Sequence, residues 1–189
     1  MKVMNRLDRM LCYQSGGMDR VSVWGDAVGW RNDLKPFLFE KGVGVLDPCD
    51  KATTIAIEDQ DVREKKKILK EQGRYDELRD IMKPICAIDL RMVDICSFVV
   101  LYIDTDIHMA GSYHEATVAI NQKKPVLIVC KQGKENIPDW FFGVIPHKMM
   151  FSNWDELKDY LNYIDTAEDA EHENRWRFLD WDQVYGTTT

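Results

Sequence analysis

The chain has 189 residues, of which 45% are hydrophobic and 11% aromatic, a balance that excludes a disordered protein and suits one globular domain with a sizeable core. Its formal net charge of −7 argues against general binding to a nucleic-acid backbone. Apolar runs stay well short of the roughly 18 residues of a membrane span, and the N-terminus has no signal-peptide core. We therefore expect a cytoplasmic protein without a membrane segment.

The five cysteines are scattered and include no CxxC pair. Four of them lie beside apolar residues, which predicts buried, reduced thiols rather than disulfides. His108 and His114 are six positions apart, with neither a cysteine nor an HExxH motif beside them. The sequence therefore predicts no metal site and no cofactor.

The first fifty residues alternate between strand and helix patterns. Residues 10–14 form a short apolar run that predicts a strand, and a glycine-rich turn follows. Apolar residues recur at spacings of three and four over 24–42, which predicts a helix that Pro36 kinks or shifts. Residues 43–48 predict a second strand. A strand, a helix and a strand in this order imply a right-handed crossover between parallel strands.

Residues 49–85 are charged and helix-favouring, and we interpret them as a helical excursion from the sheet. Gly73 is expected to break this excursion and Pro84 to end it. A new amphipathic helix is predicted over 86–96. One basic run suggests nucleic-acid binding, but its acidic neighbours favour a solvated helix face; the run consists of Lys65, Lys66, Lys67 and Lys70.

The second half of the chain continues the alternation. Residues 97–104 are an apolar run of strand length, suited to the centre of a parallel sheet. A loop and a helix follow, and 125–130 predicts the next strand. Residues 147–151 predict a fifth strand, and 153–164 predicts an amphipathic helix with Asn153 as its N-cap.

This alternation predicts a single α/β domain over residues 1–165, doubly wound around about five parallel strands in a flavodoxin-like or Rossmann-like arrangement, with a helical insertion at about 50–85. Residues 166–189 form a tail that is first acidic and then aromatic. Its aromatic side chains are expected to pack on the domain or on a second subunit. Ligands of such sheets bind beyond the carboxyl ends of the strands, which selects the loops 13–19, 47–50 and 104–115.

Carboxylates dominate the chemistry that these loops offer. Glu115 follows the start of a helix, so it either complements the helix dipole or acts as a nucleophile at the mouth of a site. Asp89 stands in an otherwise apolar stretch, where it is either a helix N-cap or a site residue. Gly16 and Gly17 fit neither a dinucleotide fingerprint nor a P-loop, so they serve either a tight turn or close approach to a ligand. Tyr13 offers that ligand a phenol.

Five motifs follow one another within residues 10–165: YQSGGM, WRNDL, GVGVLDP, IDLRMVDICSFVVLYID and GSYHEATVAINQKKPVLIV. Their order and spacing resemble the nucleoside 2-deoxyribosyltransferase family, including the related 2'-deoxynucleoside 5'-phosphate N-hydrolases. Members of this family have a first strand ending in a Tyr-x-x-Gly-type loop and an Asp-Leu pair before the central strand. A Gly-(Ser/Thr)-x-x-Glu motif and a helix of small residues follow. The segment 49–85 is an insertion or a variant region in this comparison.

The resemblance implies roles for particular residues of this chain. Glu115 matches the nucleophile, which forms a covalent deoxyribosyl intermediate, and Tyr13 matches the tyrosine that holds it in place. Asp89 matches the acid that helps to protonate and orient the departing base. Gly111 and Ser112 match the turn before the nucleophile, where backbone and hydroxyl hold the sugar 5' end.

The loop before that turn departs from the family pattern. The family's aspartate, which contacts the sugar 5'-hydroxyl, is replaced around His108, and the nearest acid, Asp106, lies further back. A histidine in this place can instead favour a 5'-phosphate. The predicted substrate-binding residues are Gly16, Gly17, Asp47, Asp106, His108, Gly111 and Ser112.

The chemistry that follows is cleavage of an N-glycosidic bond through an oxocarbenium-like transition state. One carboxylate bonds to or stabilises C1', and a second acid protonates the leaving base. We expect the sugar to be transferred to another base; hydrolysis to the free base is the first alternative, and a nucleotide-binding protein without catalysis is the second. The implied partners are a nucleoside or nucleotide and further copies of this chain, without a membrane or nucleic acid.

Overall fold

The computed structural model describes residues 5–18, 24–51, 53, 55–172 and 175–186. Its five strands are β1 (Leu11–Gly16), β2 (Gly44–Leu46), β3 (Phe98–Ile103), β4 (Val126–Cys130) and β5 (Met150–Phe151). They form one sheet in the order β2-β1-β3-β4-β5, and every neighbouring pair is parallel. This is the strand order of flavodoxin-like sheets, and it confirms the predicted α/β fold.

The helices are α1 (Trp24–Glu40), α2 (Gln60–Glu71), α3 (Tyr75–Ile95), α4 (Ala110–Asn121), α5 (Asp139–Val144), α6 (Trp154–Thr166) and α7 (Trp181–Tyr185). The predicted N-cap of α6 is confirmed, because the side chain of Asn153 accepts a hydrogen bond from the Glu156 backbone. Within the described ranges, each helix is too short or too polar to cross a membrane.

The central strands β3 and β4 are buried along almost their whole length. Strands that are covered on both faces need continuous apolar sequence, which explains why these two segments show no alternation. In the register of the sheet, Gly16 at the end of β1 lies opposite Tyr102 of β3. The loops that leave β1 and β3 therefore begin side by side.

One predicted helix boundary is wrong. Pro84 does not end a helix, because α3 runs through it without interruption. A proline inside a helix removes one backbone hydrogen bond and costs about 3 kcal/mol. At least two turns of α3 lie on either side of Pro84, and Ile85, Met92 and Val93 are buried on its inner face. That burial outweighs the local loss, since packing supplies most of the stability of a helix in a protein.

The helical excursion consists of α2 and the first half of α3, separated at Gly73 as predicted. Gly73 has a φ of +67°, a conformation that glycine adopts without strain. The solvated face predicted for the lysine run is confirmed for Lys65, Lys67 and Lys70, which are exposed, but wrong for Lys66. Lys66 is buried, and its ammonium pairs with Glu58.

The aromatic tail contributes to the core of the domain. Trp176 is 2% exposed, and its indole donates a hydrogen bond to the Tyr160 hydroxyl. Its ring also contacts Phe98 of β3 and stacks on Phe178. The hydrophobic core of the sheet therefore extends beyond residue 165.

Candidate active site

A cleft of about 390 Å³ opens where the loops after β1 and β3 separate. This is the point at which the strand order reverses, the usual ligand position in an open parallel sheet. Gly16, Gly17 and Met18 form one side, the first turns of α4 form a second, and α3 closes a third with Met82, Ile85 and other side chains. The helical excursion thus supplies a wall of the cleft.

Glu115 points into this cleft from the second turn of α4. Its Oε2 accepts a hydrogen bond from the Ser15 hydroxyl at 2.5 Å. Because α4 begins at Ala110, Glu115 lies outside the first turn, where the helix dipole acts most strongly. The explanation of Glu115 as a dipole-complementing residue is therefore wrong.

The pKa of Glu115 is raised above its ordinary value, and burial is the main cause. Three neighbours oppose this shift: the hydroxyls of Ser15 and Tyr13 and the positive charge of Arg31. Glu115 is thus a partly buried carboxylate whose ionised form is supported by hydroxyl donors and a nearby positive charge.

Tyr13 is completely buried in β1, two residues before Ser15. Residues two apart on a strand share a face, so both hydroxyls face α4. Burial raises the pKa of the Tyr13 phenol, and the negative charge of Glu115 raises it further. The Tyr13 hydroxyl lies close enough to lower the pKa of Glu115, although it has no hydrogen-bond partner of full geometry among the described residues.

Asp89 lines the same cleft from the inner face of α3. It lies in the interior of the helix, so the alternative of a helix N-cap is wrong. Its pKa is raised to about 7, chiefly by burial; Lys51 opposes this shift, while the negative charges of Glu58 and Glu115 add to it. The cleft therefore holds two carboxyl groups whose environments differ.

The partners of Asp89 come from residues that sequence reasoning missed. Lys51 lies in the loop after β2, and its Nζ is 2.8 Å from Asp89 Oδ1 and 3.0 Å from Glu58 Oε2. Lys66 approaches the other oxygen of Glu58 at 3.2 Å. These four side chains are each less than a tenth exposed. Thirty-seven residues separate Lys51 from Asp89, and no local pattern marks the pairing.

Most of the predicted substrate-binding residues line the cleft. Gly16, Gly17, His108, Gly111 and Ser112 all belong to its wall. The last two lie in the first turn of α4, before the turn that carries Glu115. A side chain at Gly16 would meet the Trp30 ring at 2.8 Å, so packing also requires a glycine there.

Asp47 is predicted at the site but lies in an ion-pair cluster behind the cleft wall. Its carboxylate is 2.8 Å from Lys35 Nζ and 3.5 Å from Arg31 Nε, and it accepts a hydrogen bond from the Cys49 backbone. These contacts neutralise the charge of the Asp47 carboxylate inside the fold. The prediction that Asp47 binds substrate is therefore not supported by its position in the cluster.

Asp106 is turned away from the cleft by its own loop. Its backbone nitrogen donates to Asp104 Oδ1, and Gln132 holds its carboxylate at 3.1 Å. Asp106 consequently lines a second cleft of about 500 Å³, which in the described part of the chain shares Gly17 alone with the first. The structure does not bring Asp106 together with Glu115.

Arg31, in the WRNDL motif, is a further residue that sequence reasoning missed. It is completely buried in α1, and its guanidinium donates to the backbone carbonyls of Gln14, Gly16 and Ala27. Arg31 therefore fixes the end of β1, from which Ser15 reaches Glu115.

Three of the five cysteines, Cys12, Cys96 and Cys130, are buried as predicted, but Cys86 is exposed and lines the cleft. All five are free thiols. Among the described residues, no group of three or more histidine, cysteine or acidic side chains is arranged to hold a metal ion.

No protein-family model and no curated protein matches this chain. The interpretation of the cleft accordingly depends on its geometry and charge.

Proposed function

We propose that this protein cleaves the N-glycosidic bond of 2'-deoxynucleosides or their 5'-monophosphates and transfers the sugar to another base through a covalent intermediate on Glu115. The observation that carries the proposal is the pair of carboxyl groups in one cleft, Glu115 and Asp89. One has hydroxyl donors that favour its ionised form, and the other has a pKa of about 7. A carboxylate that can bond to C1' and a second acid that can release a proton near neutral pH are what this reaction requires.

In the first step, a carboxylate oxygen of Glu115 bonds to C1' of the sugar while the bond from C1' to the base nitrogen breaks. The electron pair of the broken bond goes to the base, and Asp89 supplies the proton that neutralises it. Near neutral pH, a group with a pKa of about 7 is protonated in a large fraction of molecules and still gives up its proton readily.

In the second step, a nitrogen of the incoming base attacks C1', and the ester bond to Glu115 breaks. Asp89, now ionised, takes the proton from the incoming base. Ser15 supports both steps, because its hydroxyl donates to the Glu115 oxygen whenever that oxygen carries charge. The apolar wall supplied by Met82 and Ile85 favours a base over water as the acceptor.

Hydrolysis of 5'-monophosphates is the second candidate. It is supported by basic side chains on the cleft wall, namely His108, His114 and Lys70. Imidazole groups beside and within the first turns of α4, together with the Lys70 ammonium on α2, suit a phosphate group on the sugar. Water would then replace the acceptor base in the second step.

The experiment incubates the protein with deoxynucleosides and with their 5'-monophosphates, each with and without a free acceptor base. We expect base exchange, and intact-protein mass spectrometry after an acid quench should show one added deoxyribosyl group. Glu115→Gln should lose the adduct and at least about a thousandfold in rate. Glu71→Gln, an exposed acid on α2, is the control and should retain both.

Each outcome discriminates between the candidates. Release of free base from monophosphates alone, without exchange, favours hydrolysis. Nucleotide binding without turnover favours a binding protein and contradicts the enzyme. Activity that survives in Glu115→Gln contradicts the assigned nucleophile.

A further inference from the structure

Lys51 makes three polar contacts beside Asp89. Its ammonium donates to the Ala56 carbonyl and to Glu58 Oε2, each at 3.0 Å, and pairs with Asp89 Oδ1 at 2.8 Å. Its side chain is only 2% exposed. Two hydrogen bonds and one ion pair therefore restrain the position of this ammonium group.

Lys51 belongs to a buried group of two basic and two acidic side chains. Lys51 and Lys66 carry two positive charges, and Glu58 carries one negative charge between them. Asp89 restores neutrality when it is ionised and leaves one excess positive charge when it is protonated. Removing an ammonium from such a buried cluster leaves carboxylates without sufficient compensation, which is unfavourable in a site that excludes water.

We propose that Lys51 is a positioning residue for Asp89: its ammonium, carried by the loop after β2, aims the Asp89 carboxyl at the leaving base and sets the charge that this carboxyl holds between the two steps. The inference depends on the proposed function, since it concerns the acid of that reaction. It also gives the segment after β2 a role in the chemistry, through a residue that does not itself touch the reacting atoms.

The charge on Asp89 responds to groups on every element around it. Lys51 favours the ionised form, whereas Glu58, before α2, and Glu115, on α4, favour the protonated form. Tyr13 faces it from β1, and Cys86 lies one turn away on α3. Lys51 is the neighbour that contacts Asp89 directly, so it can hold the conjugate base after the proton has left.

The test compares pH profiles of turnover. The acid is active while protonated, so activity should fall as the pH rises through the pKa of Asp89. Lys51→Met removes the neighbouring positive charge, so this falling limb should move to higher pH by about one unit or more. The maximum rate should drop about tenfold, because the carboxyl is no longer aimed. A loss of rate at every pH with an unmoved limb would contradict the proposal.

Two further variants separate charge from packing. Lys51→Arg keeps a positive charge and should leave the limb near its original position, while Lys51→Gln keeps a donor without charge and should move it. If Lys51→Met does not fold, the pH profiles of Lys51→Arg and Lys51→Gln are compared instead. Lys67→Met, an exposed lysine of α2, should change neither the limb nor the rate.

A measurement without turnover distinguishes the two proposals. The ¹³C carboxyl resonance of Asp89, identified by its loss in Asp89→Asn, can be titrated in the wild type and in Lys51→Gln. An upward shift of its titration midpoint in a protein without turnover would support the coupling and contradict the proposed function. Turnover with an unmoved midpoint would overturn the role of Lys51 and leave the proposed function intact.

Discussion

Ser15 joins β1 to the proposed nucleophile through one hydrogen bond, that from its hydroxyl to Glu115 Oε2. The bond lowers the pKa of Glu115 against the larger, opposite effect of burial. Ser15→Ala should therefore raise that pKa. Since the nucleophile acts when ionised, the rising limb of the pH profile should move to higher pH, and kcat/KM on that limb should fall about tenfold or more.

The measurement is kcat/KM against pH for wild type and Ser15→Ala. Thr117→Ala is the matched control, because Thr117 is an exposed hydroxyl residue of α4 that donates to the Tyr113 carbonyl. Its pH profile should be unchanged. A rate loss in Ser15→Ala that is equal at all pH values would mean that Ser15 packs beside Glu115 without influencing its ionisation.

Several residues of the cleft could be predicted from sequence because their neighbours carry a pattern. Glu115 follows and Asp89 precedes a recognisable strand, and Tyr13 lies within one. The position of Ser15 could have been predicted in the same way, since strand alternation places its side chain on the same face as that of Tyr13. The pairing of Lys51 with Asp89 could not be predicted from the sequence. It depends on how a loop folds back over α3, and a loop of this kind has no periodicity.

Helix α4 carries Glu115, and its first turn has a low helix propensity. Gly111 lies in that turn, and a side chain added there would meet none of the described heavy atoms within 4 Å. Gly111→Ala should therefore stabilise the helix by up to about 1 kcal/mol. Because Gly111 lines the cleft, the same methyl group should raise KM severalfold by crowding the substrate.

Thermal melts and steady-state kinetics check the two parts of this prediction separately. Gly143→Ala in α5 is the control, since its added methyl group also meets no described atom within 4 Å, and Gly143 is not among the residues lining the cleft. Gly143→Ala should leave KM unchanged. A more stable Gly111→Ala protein with unaltered KM would show that the substrate does not approach the start of α4.

The continuation of α3 through Pro84 shows the limit of local sequence rules. Local rules weigh a proline against its immediate neighbours and end the helix there. The buried residues that hold α3 against the rest of the domain lie mainly beyond Pro84, at Asp89, Met92 and Val93. The outcome thus depended on tertiary contacts of the second half of the helix, which the local pattern does not contain.

The order of strands and helices along the whole chain was enough to predict a sheet of about five parallel strands. Short connections and right-handed crossovers leave few arrangements for such an alternating chain. The sequence does not decide whether the tail packs on this domain or on a second subunit, because aromatic content does not identify a partner. Burial of Trp176 against Phe98 shows that at least this part of the tail completes its own domain.

Stability of the whole molecule should depend on pH through the buried carboxyl groups. Asp89 has a pKa of about 7 in the folded protein against an ordinary value of 3.8, and the pKa of Glu115 is also raised. Both groups bind protons more tightly in the folded state than in the unfolded chain. The free energy of unfolding should therefore fall as the pH rises from about 4 to about 7.

Asp89→Asn removes the contribution of Asp89 to this dependence and should flatten it. The variant should melt at a higher temperature than wild type at pH 8, and the difference should shrink towards pH 5, where Asp89 is protonated in the folded protein. The comparison stays above pH 5 because Asp104, whose pKa is lowered, contributes the opposite dependence in more acidic solution. Melting temperatures across this range provide the measurement.

Asp159→Asn is the control for the change in net charge, because Asp159 is an exposed acid of α6. It should leave the pH dependence as in wild type. If Asp89→Asn also left it unchanged, Asp89 would be ionised at neutral pH, and it would lack the proton that the leaving base needs. If Asp89→Asn instead flattened the dependence of melting temperature on pH and also lost turnover, the buried Asp89 carboxyl group would lower the stability of the fold while serving the reaction. Such a trade between stability and activity is expected at a catalytic site.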